Sequence, residues 1–344
     1  MSHLIFVPAT AAPDAGDIAK QTTLALARVD ERLRAERSSL GDAAVITVYL
    51  RKASDFAAMN DAYRQAWKGT PPTRTTVVTD LAAPSALVEI SAIGVPSGAD
   101  RRAVHPASWM ASPNPYSYGI RTGDTLFLSG LIARNGKDNS VVSGNVATQT
   151  RAVMDNAREL LDAAGLSFAH LVSARAFLPD LADFPEFNRV YREYVGADRP
   201  ARATVGAHLT NSSYNVEITF VASAASRQAI ETAAQPSPNL SAAVRTGNSL
   251  WLSGLLAEGT ALQADPATQT KDILRKMDAL LAKAELTRAD VRDLLVYVTD
   301  DEAGRAAEPI CRAGFGERVP ITRPLVKLAA AGARVEIMSY AERG

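Results

Sequence analysis

Apolar residues recur at helical spacing over residues 146–164 (Val146, Val153, Ala157, Leu160, Leu161, Ala164), with Gly165 placed to end the helix. Ahead of this stretch, residues 120–130 read as strand, Gly-Asp turn, strand. Behind it lie a continuous apolar strand at 171–178, a second helix opened by Asp183 and running to about 195, and strands near 203–209 and 215–222. The predicted order is ββ-α-β-α-ββ. The same order returns downstream: a hairpin at 244–254, a helix at 266–284, a strand at 291–298, a helix at 304–315, and strands near 325–328 and 334–340. It also precedes, shortened. A strand at 4–9 matches the second hairpin strand, and the strand before the turn is missing. Helices at 15–37 and 55–67 flank a strand at 45–50.

Individual residues repeat with the pattern. Gln21-Thr22, Gln149-Thr150 and Gln269-Thr270 open the first helices. Arg74, Arg202 and Arg323 follow at nearly equal distances, then Val88-Glu89-Ile90, Val216-Glu217-Ile218 and Val335-Glu336-Ile337. A period of roughly 110–125 residues exceeds the 20–50 of a solenoid and has the size of a small domain. The predicted organisation is three fused copies: residues 1–96, truncated at the N-terminus; 114–224, the most complete; and 238–344, diverged. Turn-rich segments 97–113 and 225–237 serve as linkers. Mixed strands with helices on one face predict an α+β layer. Three such sheets hide their bare faces by closing into a pseudo-threefold β-barrel with helices outside. Fusion replaces association of three free protomers by an intramolecular event.

Composition narrows the function. Lys+Arg and Asp+Glu are equal at 37 each, so the formal net charge is zero, which removes the footprint of a nucleic-acid binder. No apolar run is long enough to span a bilayer, and Met1-Ser2-His3 opens no secretion signal, so a cytoplasmic location is expected. The single cysteine, Cys311, excludes an internal disulfide framework and reads as helix packing. The four histidines have no metal-ligand spacing, and no metal or cofactor is expected. A charge near zero is compatible with self-association beyond the single-chain pseudo-trimer.

Six separated blocks carry a resemblance. They are Pro115-Tyr116-Ser117-Tyr118-Gly119; Leu128-Ser129-Gly130; Ala147-Thr148-Gln149-Thr150 with Asn156; the run from Phe184 to Tyr191; Arg199-Pro200-Ala201-Arg202-Ala203-Thr204-Val205; and Val216-Glu217-Ile218. With these, residues 110–224 resemble the RidA (YjgF/YER057c/UK) superfamily. Residues 236–342 do so less strongly, and 4–95 keep Asn60, Tyr63, Arg74 and Glu89 in register. The resemblance implies a chorismate-mutase-like fold, trimers with clefts between protomers, and cofactor-independent hydrolysis of small enamine or imine carboxylic acids to keto acids and ammonia. Related folds also support ring-opening amide hydrolysis and chorismatase chemistry. A specialised hydrolase of that kind, or a non-catalytic small-ligand binder, is the alternative reading.

Arg202 presents a planar donor fork that matches a carboxylate, with a structural ion pair as the bland reading. The resemblance makes it the carboxylate holder, Glu217 the residue that positions and activates water, and Tyr116 a hydrogen-bonding cleft residue. Ser129, Gly130, Asn188 and Thr204 line the site, Thr204 standing where many relatives carry cysteine. Arg74, Glu89 and Asn60, and Arg323 and Glu336, mark additional clefts. The copies differ: Leu240 replaces Tyr116, Glu308 replaces Asn188, Cys311 replaces Tyr191, Pro324 follows Arg323, and Arg323 to Glu336 is two residues shorter than Arg202 to Glu217. Three equivalent sites are therefore not expected. Which arginine faces Tyr116 and Gly130 stays open between Arg202, Arg74 and Arg323.

Overall fold

The structure is a computed structural model that describes residues 3–197, 199–232 and 236–344. The first copy comprises β1 (Ile5–Ala11), α1 (Ile18–Ala35), β2 (Ala43–Leu50), α2 (Phe56–Gln65), β3 (Thr73–Val78) and β4 (Val88–Gly94). Then come β5 (Arg102–Val104), β6 (Gly119–Thr122), β7 (Thr125–Leu128), β8 (Leu131–Ile132), α3 (Val146–Ala163), β9 (Leu171–Leu178), α4 (Phe184–Val195), β10 (Ala201–Gly206), β11 (His208–Leu209) and β12 (Glu217–Ser223). The last stretch holds β13 (Arg227–Ile230), β14 (Ala243–Thr246), β15 (Ser249–Leu256), α5 (Pro266–Lys283), β16 (Val291–Val298), α6 (Asp301–Phe315), β17 (Ile321–Thr322), β18 (Lys327–Leu328) and β19 (Val335–Glu342).

The α+β layer is present three times. In each copy, a β-α-β crossover makes two parallel strands: β2 with β3, β9 with β10, β16 with β17. The glutamate-bearing strand (β4, β12 or β19) runs antiparallel on the other side. Helices cover one face of each sheet over a separate apolar core. The first helices begin where aspartate or asparagine accepts a backbone N–H: Asp17 from Lys20, Asn145 from Thr148 and Asp265 from Thr268. Asp183 does not cap α4 with its side chain. A short 3-10 turn intervenes, and Asp180 accepts from Ala182 N instead. Helix α6 starts three residues earlier than its apolar pattern predicts, because Asp300 caps Ala303 N.

The expected closed barrel is not formed. Among the described residues there are three sheets, ordered β1-β4-β2-β3-β11, β18-β10-β9-β12-β7-β6-β5 and β13-β14-β15-β19-β16-β17, and no hydrogen-bonded path returns to its start. Two seams between copies are stitched by two-residue strands, β11 on β3 and β18 on β10. At the third seam, β17 is only two residues long and lies between Pro320 and Pro324, which have no N–H to give a ladder. That seam is held by hydroxyls instead: Ala9 N donates to Thr322 Oγ1 at 3.1 Å, and Thr79 Oγ1 donates to Leu325 O. What joins the sheets elsewhere is their shared inner face. Tyr49, Phe177 and Tyr297 meet in one cluster, and Val45, Val172, Val244 and Trp251 contribute to another. The segments expected as linkers carry strands: β5 pairs with β6 and β13 with β14. Trp109 in the first of them is buried, and its Nε1 donates to Glu159 at 2.7 Å. Residues 233–235 of the second lie outside the described residues.

The repeated glutamine has a structural purpose. Gln149 Nε2 donates to Ser213 O at 2.7 Å and its Oε1 accepts from Asn215 N at 2.7 Å. Gln21 does the same with Ser85 O and Leu87 N, and Gln269 with Gly332 O and Arg334 N. Each clamp fixes backbone two residues before the glutamate of the Val-Glu-Ile step. Replacing Gln149 by leucine removes the partners of a part-buried N–H and C=O, and is expected to cost about 1 kcal/mol. Urea denaturation checks this. A midpoint unchanged from wild type would show that the clamp carries no stability.

Candidate active site

The seam between the first and second copies assembles six functional groups. Arg74 on β3 is 5% exposed, and its Nη1 donates to Asn60 Oδ1 on α2 at 2.6 Å. Asn60 Nδ2 in turn donates to Asn114 Oδ1 at 2.6 Å. Three rings surround the guanidinium, Tyr63 at 4.8 Å, Tyr116 at 5.5 Å and Phe56 at 5.7 Å from ring centre to Cζ. The second copy locks onto the backbone of Arg74. Its N–H donates to Ser129 Oγ at 2.9 Å, its carbonyl accepts from Gly130 N at 3.0 Å, and Ser129 Oγ donates to Ser117 O at 2.7 Å. Opposite lies Glu217 on β12, buried against Gly130. A Cβ on residue 130 would sit 1.8 Å from Glu217 Oε1, so only glycine leaves room for the carboxyl group.

Burial sets the charge states here. It pushes the Glu217 carboxyl up to about 8, against the opposing pull of the Thr76 backbone and of Arg74 and Arg175. The same desolvation lowers Arg74 from the ordinary arginine value, with Tyr63, Tyr116 and Glu217 acting in the other direction. Tyr116 is raised by burial, while Ser112 and Arg74 pull it down. A carboxyl whose burial favours the neutral acid thus lies across from a guanidinium whose hydrogen-bond partner is a neutral amide.

The second seam repeats this plan with parts missing. Arg202 on β10 is 2% exposed; its Nη2 donates to Asn188 Oδ1 at 2.5 Å, and Tyr191 and Phe187 lie at 4.6 and 5.2 Å. Its backbone N–H donates to Ser253 Oγ at 2.8 Å, and Ser253 Oγ to Ser241 O at 2.6 Å. Gly254 makes way for Glu336, whose carboxyl is pushed up to about 8 by burial. Leu240 stands in the place of Tyr116, so no second tyrosine reaches this guanidinium from the following copy, and Arg202 Nε and Nη1 are buried with no partner among the described residues. Thr204 Oγ1, on the same strand, is likewise buried without a hydrogen bond.

The third seam is different in kind. Pro8-Ala9 occupies the place of Ser129-Gly130, so there is no hydroxyl latch and no glycine gap. Glu89 is half-buried, raised by burial and opposed by Arg323 and Arg51. Arg323 lies back across α6, where Gly304 leaves room for it. It pairs with Asp301 at 3.2 Å and Glu308 at 3.7 Å. Its charge is already answered.

The residues expected to form one site therefore divide between two seams. Tyr116, Ser129, Gly130 and Glu217 face Arg74 and Asn60; Arg202, Asn188 and Thr204 face Ser253, Gly254 and Glu336. Arg202 and Glu217 do not lie on neighbouring strands, because β9 runs between β10 and β12. The parallel crossover makes β10 the outermost of its own copy's strands, with only β18 of the following copy beyond it, so its arginine reaches the following copy while the glutamate reaches the preceding one. Asn114 and Arg134, which also border the first seam, carried no signal in the sequence: one is the first residue of the expected second copy, ahead of its hairpin, and the other lies between the hairpin and the helix. Among the described residues no group of three or more His, Cys, Asp or Glu side chains could hold a metal ion, and no helix is long and apolar enough to cross a membrane.

Comparison with known proteins agrees with the internal repeat. A sequence model of the family Endoribonuclease L-PSP matches residues 7–95, 107–224 and 230–343. A RutC family protein of Sulfurisphaera tokodaii is 39% identical over 109 residues, which is 32% of this chain and 87% of that protein. The 2-iminobutanoate/2-iminopropanoate deaminase of Homo sapiens is 31% identical over 122 residues, 36% of this chain and 89% of the human protein. A crystal structure of a chorismatase is alike over 99% of this chain and 98% of its own, with a TM-score of 0.65 and 17% identity, a likeness of fold. With three matches in series covering most of its length, the chain belongs to the Endoribonuclease L-PSP family, the RidA/YjgF group, and carries the family's unit three times in one polypeptide.

Proposed function

We propose that the chain is a hydrolytic deaminase of a small enamine or imine carboxylic acid, working in the seam between the first and second copies. The observation that carries this reading is the placing of buried Arg74, whose side chain hydrogen-bonds a neutral amide, and the buried Glu217 carboxyl, packed against Gly130, at the same seam; burial raises that carboxyl to about 8. The human relative, a 2-iminobutanoate/2-iminopropanoate deaminase, supports it. In this reading the Arg74 fork holds the substrate carboxylate, which displaces the Tyr116 ring from the guanidinium. Glu217 gives its proton to the enamine carbon, and the C=C electron pair forms the new C–H bond, leaving an iminium. The resulting carboxylate takes a proton from water as its oxygen adds to the iminium carbon. Glu217, protonated again by that step, gives its proton to the carbinolamine nitrogen; the C–N electron pair then leaves with ammonia as the hydroxyl oxygen forms C=O and returns its proton to Glu217.

Ammonia release from 2-aminoacrylate generated in situ tests the reading. Acceleration over spontaneous hydrolysis is expected, and its absence across several amino-acid precursors would sink the proposal. Arg74→Met is expected to lower kcat/KM about 10–100-fold, the worth of a hydrogen bond to a charged group. Arg323→Ala, whose charge is already paired, is expected to leave it within about threefold. Activity that fell with Arg202→Met but not with Arg74→Met would move the working cleft to the second seam.

The pH dependence has a fixed sign. Because Glu217 acts first as a proton donor and titrates at about 8, kcat/KM should hold at neutral pH and fall as pH rises through about 8. Glu217→Gln should lose about 10²–10⁴-fold and show no such limb. A wild-type profile that instead rises through that range would exclude Glu217 as the initial donor.

A further inference from the structure

Beyond the Arg74 pocket, the first seam holds a second cation that the proposed chemistry does not use. Arg134 follows β8, on the loop after Gly130. All four of its side-chain hydrogen bonds go to uncharged acceptors. Nε donates to Asn139 Oδ1 at 2.7 Å and Asn139 O at 3.0 Å, Nη2 donates to Asn139 O, and Nη1 donates to Tyr214 Oη at 2.6 Å. Asn139 adopts a left-handed backbone (φ +58°), which turns both its oxygens onto the guanidinium, and Asn156 Nδ2 holds the Arg134 carbonyl at 2.6 Å. The side chain is thus held firmly with its charge unanswered and donor positions unfilled.

Its surroundings are a cavity of ≈ 180 Å³ walled by Phe56, Asn114, Tyr116, Arg134, Asn139 and Tyr214. A smaller one of ≈ 30 Å³ shares Tyr116, Arg134 and Asn139 and reaches Gly130. Phe56 and Tyr116 are the same rings that cover Arg74. Those two rings therefore stand between the guanidinium of Arg74, which they cover, and the cavity that Arg134 lines.

Given the carboxylate pocket at Arg74 on which this rests, we propose that Arg134 is a specificity-determining residue that binds a second anionic group, so that the cleft takes dicarboxylic rather than monocarboxylic imine acids. One carboxylate of such a substrate replaces the Tyr116 ring at Arg74. The other extends past the displaced ring to the open donors of Arg134. A monocarboxylate fills the first position and leaves Arg134 unpaired.

Calorimetric titration of the full chain with two stable keto acids, 2-oxoglutarate and 2-oxobutanoate, reads this without turnover. Wild type is expected to bind 2-oxoglutarate about tenfold more tightly or better. Arg134→Gln should remove that preference while leaving 2-oxobutanoate within about threefold, and Arg134→Lys should keep part of it. Equal affinities in wild type, no binding of 2-oxoglutarate, or a preference unchanged in Arg134→Gln would each overturn the proposal. So would equal loss of both ligands in Arg134→Gln, which would make the arginine a loop anchor. A protein that shows the preference but releases no ammonia from imine acids would fail the deaminase reading and not this one.

Discussion

A guanidinium removed from water at a boundary between copies is the constraint on which the molecule turns. Arg74 and Arg202 are each nearly fully buried, and each is hydrogen-bonded through its side chain to a single asparagine oxygen. Desolvating a cation this far is costly unless other groups compensate. Stacked rings supply part of the compensation, and the facing carboxyl supplies less than its formal charge, because its own burial favours the neutral acid. Such an arrangement is poor as structural cement and good as a receptor, since an incoming carboxylate supplies what the fold withholds. The third seam shows the other solution. There Asp301 and Glu308 answer Arg323 directly, and the latch and glycine gap of the other two seams are gone.

Position is controlled from the backbone. Ser129 and Ser253 each tie the arginine's own N–H to the next copy, so the guanidinium cannot shift without breaking a contact between copies. Gln149 and its counterparts brace the approach to the glutamate strands. Arginine and glutamate thus arrive at a seam from different copies, each secured by a buried polar group of the neighbouring backbone.

Much of this was legible in the sequence. Apolar periodicity located all six helices and most strands to within a few residues, because each element buries one face over a local core. The recurrence of Arg74, Arg202 and Arg323 marked residues that matter, but recurrence does not distinguish role. Gln149 recurs as faithfully as Arg202 and serves only the backbone. The grouping of site residues was not legible. Whether Tyr116 meets Arg202 or Arg74 depends on the parallel β9–β10 pairing, which leaves β10 the outermost of its own copy's strands, and on contacts hundreds of residues apart in sequence such as Ala9 with Thr322. Barrel closure failed for a local reason of the same kind: prolines flank β17, and two residues make too short a ladder to bridge sheets.

The hydroxyl latch absent from Pro8-Ala9 has a consequence for how such a chain changes over generations. In an assembly of identical subunits, any substitution at a boundary is imposed on every boundary at once, so a costly but useful change is charged threefold. Here one codon alters one address. The junction at Arg74 keeps its serine while the one at Pro8-Ala9 does without, and a polypeptide built from three like units is under no obligation to keep its boundaries alike.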